Sequence, residues 1–192
     1  MNAPDSPNNI WNDFNDASVA HDHFVVSPDI DQLKVFLDVV FGYCEGLIPV
    51  RGFVDKGQGK DGRPNNIWID ANDKAVEKLA TFASWASREG AAVYVVPGTV
   101  STHGQARAED VIQMQTILVD LDDGDVPAKY NHLVAFLGAP TLLVESGGRT
   151  QDGHQKCHVW WQLNEPASGS DIERVCHLRG EIALKIGGDR HF

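Results

Sequence analysis

Gln115–Asp125, QTILVDLDDGD, is the stretch on which the reading of this chain turns. An apolar run ends in Asp120-Leu121-Asp122. In a strand alternate side chains leave the same face, so Asp120 and Asp122 would point together from a rigid edge. Two adjacent carboxylates repel each other unless a divalent cation lies between them. A pair of this kind suits Mg²⁺ or Mn²⁺ and presents the ion to phosphate oxygens. The competing reading is a strand followed by an acidic turn, because Asp-Asp-Gly-Asp is also good turn chemistry.

Working outward, residues 115–121 read as a strand and about 126–137 as a helix. Strands follow at 141–145 and 157–163, then a helix from about 171 to 186. The last helix shows a capping-box pattern, Ser170 with Glu173, and an inward stripe of Ile172, Val175, Leu178, Ile182 and Ile186. Gly187-Gly188 ends it. The order βαββα lacks one strand of the ferredoxin-like βαββαβ unit.

Upstream, Ser27-Pro28 reads as the start of a helix with the stripe Ile30, Leu33, Phe36, Leu37 and Val40. LIPVRGFVD reads as a strand, KGQGKDGRPNN as a hairpin loop and NIWID as the returning strand. Asn72 or Asp73 is expected to cap a helix reaching about Gly90, and AAVYVVP is expected to be a buried strand. The fold class is therefore α+β: a mobile tail at 1–23, an N-terminal αβ lobe at 24–97, a connection at 98–114 poor in apolar residues, and the second lobe at 115–192.

Composition narrows the function. A net charge of −11 argues against gripping duplex nucleic acid through a broad basic face. It leaves room for an enzyme that meets phosphates through bound cations and a few placed Arg and Lys side chains. No apolar run is long enough to span a membrane, so no membrane partner is expected. The three cysteines, Cys44, Cys157 and Cys176, have no CxxC spacing, and we read them as reduced in a cytoplasmic protein.

In the second lobe polar groups collect at strand ends. The glycine-rich loop SGGRTQDGHQK, which carries Arg149, leads into Cys157-His158-Val159-Trp160-Trp161, where Lys156 and His158 share a face with Trp160 beyond them. In a βαββαβ sheet the first and third strands are central neighbours, which would set Lys156 and His158 beside Asp120 and Asp122. Asp189 follows the last helix as a third candidate carboxylate, and Arg51 ends the first-lobe strand as a further phosphate contact. Shared carboxylates with two metal ions suit phosphoryl transfer, and a Lys and a His beside them suit a triphosphate.

The ordered set VDLDD, VESGGRTQDGHQKCHVWWQL and GGD resembles the archaeo-eukaryotic primase superfamily, most closely the RepB-type primase domains of plasmids and phages. The resemblance covers roughly residues 30–189. It implies an αβ lobe packed on an RRM-like lobe with the active site between them. It also implies that Asp120, Asp122 and Asp189 hold two Mg²⁺ or Mn²⁺ ions, and that Lys156 and His158 contact an incoming nucleotide, with Arg51 and Arg149 as additional nucleotide contacts. A glycine precedes Asp189 where the family pattern has a hydrophobic residue. The family continues past its third acid with a strand and an Arg-bearing segment, so a truncated or divergent end at Phe192 is expected.

The implied activity is nucleotide transfer from a nucleoside triphosphate to a 3′-hydroxyl on a single-stranded DNA template. The implied partners are that template, the nucleotides, and a helicase or other replication protein. Trp160, Tyr94 and Trp68 are the expected stacking surfaces for template bases. The alternative is an RRM-like module that binds single-stranded nucleic acid without chemistry. A histidine-pair, tyrosine-nucleophile endonuclease built on His21, His23 and Tyr130 ranks last.

Overall fold

The structure is a computed structural model that describes residues 26–54 and 64–187. Its elements run α1 (Ile30–Phe41), β1 (Leu47–Val54), β2 (Asn65–Asp70), α2 (Ala75–Glu89), β3 (Ala91–Val95), β4 (Thr99–Val100), β5 (Val111–Leu121), α3 (Val126–Leu137), β6 (Leu142–Arg149), β7 (Gln155–Ser168) and α4 (Ser170–Ile186). A short 3₁₀ turn, Ala108–Asp110, leads into β5. The expected α+β class holds. The strands join one antiparallel sheet in the order β2-β1-β4-β5-β7-β6, with β3 also paired to β1.

Two apolar clusters hold this sheet. One gathers Leu37, Val40 and Phe41 of α1, Leu79 and Phe82 of α2, and Ile48, Val50 and Ile69 of β1 and β2. Leu118 of β5 and Trp160 of β7 belong to the same cluster, so α1 also covers part of the second half of the sheet. On the other face, Val119, Leu121, Cys157 and Val159 pack with Val126 and Leu133 of α3 and with Ile182 and Ile186 of α4. Successive apolar residues of β5 and β7 alternate between the two clusters, so these strands are covered on both faces.

Several local expectations change. Helix α1 starts at Ile30 with Asp29 as its cap, the carboxylate accepting from the backbone N–H groups of Asp31 and Gln32 at 3.0 and 3.1 Å, so Ser27-Pro28 lies ahead of it. An aspartate satisfies two orphan donors and carries charge suited to the helix dipole, which a serine two residues earlier does not. Helix α2 has no side-chain cap; Asn72 instead accepts from the Lys74 N–H at 3.0 Å in the turn before it. Ser170 is the first residue of α4 rather than its cap, because β7 continues to Ser168 and leaves only Gly169 to turn the chain. In α4, Leu178 is exposed while Ile182 and Ile186 face the core.

The stretch at 98–114 is more structured than its composition suggests. Thr99 and Val100 are fully buried in β4, and residues 111–114 already belong to β5. Strand β3 is not a buried central strand: it pairs with β1, and Val93 and Tyr94 are exposed. An apolar run reads the same for a buried strand and for one left uncovered, and only the sheet order separates them. Among the described residues no helix is long and apolar enough to cross a membrane.

All three cysteines are free; Cys44 and Cys157 are buried, and Cys176 is half-exposed on α4. Burial pushes the Cys44 thiol up to about 11. Burial also raises Cys157, with the charges of Asp120 and Glu145 adding to it. Because the thiolate is the reactive form, a thiol reagent at mildly alkaline pH is expected to modify Cys176 in the native protein and all three residues only after denaturation. Counting released chromophore before and after adding denaturant checks this; prompt native reaction at Cys44 would contradict the burial.

Candidate active site

Strands β5 and β7 pair in a register that sets Leu118 opposite Trp160 and Asp120 opposite His158. Strand β6 continues these rows, with Leu142 opposite Trp160 and Val144 opposite His158. On the α1 side of the sheet, the row Leu118–Trp160–Leu142 is covered and the next row, Asp120–His158–Val144, is only partly so. Phe36 of α1 closes the covered row, its ring meeting Trp160 edge-on at 5.8 Å. The strands thus turn from apolar to ionisable where they emerge from beneath α1.

Asp120 and His158 approach within 3.6 Å, Oδ1 to Nε2, with side chains 11% and 23% exposed. Burial pushes the imidazole below its ordinary range, and the Asp122 carboxylate pulls it back upward. The ring is therefore neutral at neutral pH, carrying one donor and one acceptor nitrogen. Asp122 follows the last residue of β5, and the register extended by one residue sets it across from Lys156. The Lys156 stem lies over Gly148, where an added Cβ would come within 3.1 Å of the lysine Cδ. A residue without a side chain at 148 lets the lysine cross β6 (close approach is a recurrent reason for glycine within a strand).

The acidic turn after β5 is held from the other side. Lys129 of α3 pairs with Asp123 and donates to the Gly187 carbonyl at 3.2 Å. Asp125 caps α3, its carboxylate accepting from the Ala128 N–H at 3.0 Å. Asp123 and Asp125 are thus turn and cap residues, and the end of α4 is tied to the turn that carries Asp122.

The remaining expected residues have other surroundings. Arg149 ends β6 and donates to the Gly153 carbonyl at 2.8 Å, which closes the β6–β7 turn. That turn is shorter than expected, since β6 reaches Arg149 and β7 begins at Gln155. Arg51 donates to the Ala106 carbonyl at 2.7 Å and lies on β1 between Asn66 and Tyr94. Trp160 is 3% exposed and packed on Phe36, so it is a core residue and not a stacking surface. Tyr130 packs against the α3–α4 cluster. Asp189, His21 and His23 lie outside the described residues.

Among the described residues no three His, Cys, Asp or Glu side chains form a metal-ligating group. Asp120 and Asp122 nevertheless suit a magnesium-like ion. Such ions take hard oxygen donors, commonly one or two carboxylates, with waters and substrate phosphates filling the other positions.

The fold is α+β, with the polar row carried on β5 and β7, and its architecture is similar to that of a solved primase-polymerase domain. The particular likeness is to the AEP domain of the cyanophage S-2L primase-polymerase (PrimPol). The TM-score is 0.59, with 16% identity over 86% of this chain and 77% of that one. At this identity the likeness is one of fold. The sequence matches no protein-family model and no curated protein.

Proposed function

We propose that this chain is the catalytic domain of a DNA primase-polymerase of plasmid or phage replication, of the RepB-like kind. One observation carries the reading. Asp120 and His158, far apart in sequence and each in an expected motif, stand opposite one another on a partly uncovered sheet row, with Lys156 on the same face. The sheet order β5-β7-β6 around α3 and α4 fits an RRM-like second lobe, and the fold likeness to a primase-polymerase domain supports the same assignment.

In this mechanism Asp120 and Asp122 hold divalent cations, with Asp189 as the proposed third carboxylate. When bound, the ions offset charge on the α-phosphate oxygens and ease ionisation of the 3′-hydroxyl. Lys156 places its ammonium on the triphosphate, and neutral His158 donates a hydrogen bond to a phosphate oxygen. Arg149 supplies a further cation beside the β6–β7 turn. The 3′-oxygen bonds to the α-phosphorus as the bond to pyrophosphate breaks, and the hydroxyl proton passes to solvent water. The template is single-stranded because its bases must pair with the incoming nucleotide.

The direct test is incorporation of labelled nucleotides on a primed single-stranded template. Extension that appears with Mn²⁺ or Mg²⁺ and vanishes in chelator is the expected result. No incorporation with either ion, from either ribo- or deoxyribonucleotides, would overturn the assignment.

A further inference from the structure

The β2–β1–β3 part of the sheet has a face turned away from α1 and α2. Ile48 and Val50 of β1 point into the core beneath α1 and α2, so Pro49, Arg51 and Phe53 point to the opposite side. The pairing sets Arg51 between Asn66 and Tyr94, and Pro49 opposite Trp68. Phe53 and Tyr94 meet edge to face with centroids 5.3 Å apart, yet remain 38% and 51% exposed.

The chain leading to β5 organises one end of this face. Trp68 Nε1 donates to the Gln105 carbonyl at 2.6 Å, and Arg51 donates to the next carbonyl, Ala106, at 2.7 Å. The His103 ring lies 5.9 Å from Trp68. Two successive carbonyls thus orient the indole and the guanidinium, while Phe53 and Tyr94 stay uncovered. Among the described residues Arg51 makes no ion pair with a carboxylate, in a chain of net charge −11.

We propose that this face binds single-stranded nucleic acid, with Arg51 taking a backbone phosphate and Tyr94 and Phe53 stacking on bases. A half-buried guanidinium that has no carboxylate partner among the described residues suits an anion, and exposed aromatic rings beside it suit planar, sequence-independent partners. An acidic peptide would engage Arg51 and leave both rings unused. Duplex nucleic acid would hide its base faces and meet too few cations. The choice of nucleic acid rests on the nucleotidyl-transfer reading above. The assignment moves Arg51 from the incoming nucleotide to the template strand.

The test is fluorescence anisotropy of a labelled single-stranded oligonucleotide with the full chain, in chelator so that the carboxylate site is silent. Phe53→Ala with Tyr94→Ala is expected to weaken binding about ten-fold or more, in line with stacking measured by alanine substitution. Tyr94→Ser alone serves if the double variant melts at lower temperature, and it is expected to weaken binding by several-fold. Arg51→Gln is expected to lower the salt dependence by about one phosphate contact. Wild-type affinity in folded Phe53 and Tyr94 variants would overturn the proposal, as would equal competition by polyglutamate. Oligonucleotide binding that depends on this face in a protein with no metal-dependent transfer would remove the enzyme reading and leave this one standing.

Discussion

Asp120→Ala combined with Asp122→Ala is expected to abolish metal-dependent nucleotide incorporation while leaving the protein folded. The loss should be roughly a thousand-fold or more, since groups that offset charge in the transition state are worth that much when removed. The effect on folding should have the opposite sign. Asp120 sits largely buried at the end of β5, with Asp122 two residues on, and two like charges close together disfavour the compact state. Alanine relieves that repulsion, so the melting temperature should hold or rise, as at many sites where function outranks stability. Extension assays on single-stranded template and circular dichroism melts measure the two effects. Full activity in the double variant would remove the two carboxylates from the mechanism. A fall in activity matched by loss of the folded signal would make them structural.

Gln115→Leu is expected to be the most destabilising single substitution among the polar residues. The β-bulge between Met114 and Thr116 interrupts the β5–β7 register at Gln115, and the side chain reaches the end of α1 fully buried. Its amide nitrogen donates to the carbonyls of Asp38 and Val39 at 3.0 and 2.8 Å, and its amide oxygen accepts from the Tyr43 N–H at 2.6 Å. At the end of the helix Gln115 is the partner of the Val39 carbonyl and of the Tyr43 N–H, while the Asp38 carbonyl also accepts from the Gly42 N–H at 2.9 Å. Leucine fills a similar volume and removes the Gln115 partner of the Val39 carbonyl and the Tyr43 N–H, at a cost of about 1–3 kcal/mol for each group left unsatisfied. The total should lie near 4 kcal/mol, a large part of the stability of an ordinary domain. Chemical denaturation of both proteins measures it, and a difference below about 1 kcal/mol would show that water or a shift of α1 satisfies the same groups.

The reach of the sequence differed from element to element. Alternating apolar and ionisable residues along Thr116–Asp122 and Lys156–Gln162 are intrinsic to the chain, and period-2 geometry alone puts Asp120, His158 and Lys156 on known faces. Asp29 and Asn72 were less legible, because several short polar residues precede each helix and only the realised backbone selects the one that reaches an N–H. Thr99–Val100 carries too little apolar sequence to announce a strand, yet it is buried because β1 and β5 flank it.

Trp160 and Tyr94 show the same division at the level of function. Both are aromatic residues on strands, and local sequence offers no basis for choosing between them as a stacking surface. Burial chooses: Phe36 of α1 covers Trp160, while Tyr94 lies on the face of β3 turned away from the helices. The sequence by itself determined the α+β class, the strands that bear the acidic and basic groups, and the shared face of each pair. Only the tertiary structure decided that Asp120 meets His158 across β5 and β7, that α1 stops one row short of them, and that Arg51 turns toward the chain before β5. Local periodicity sets where a side chain points from its own backbone; which surface it then meets depends on contacts between residues distant in sequence.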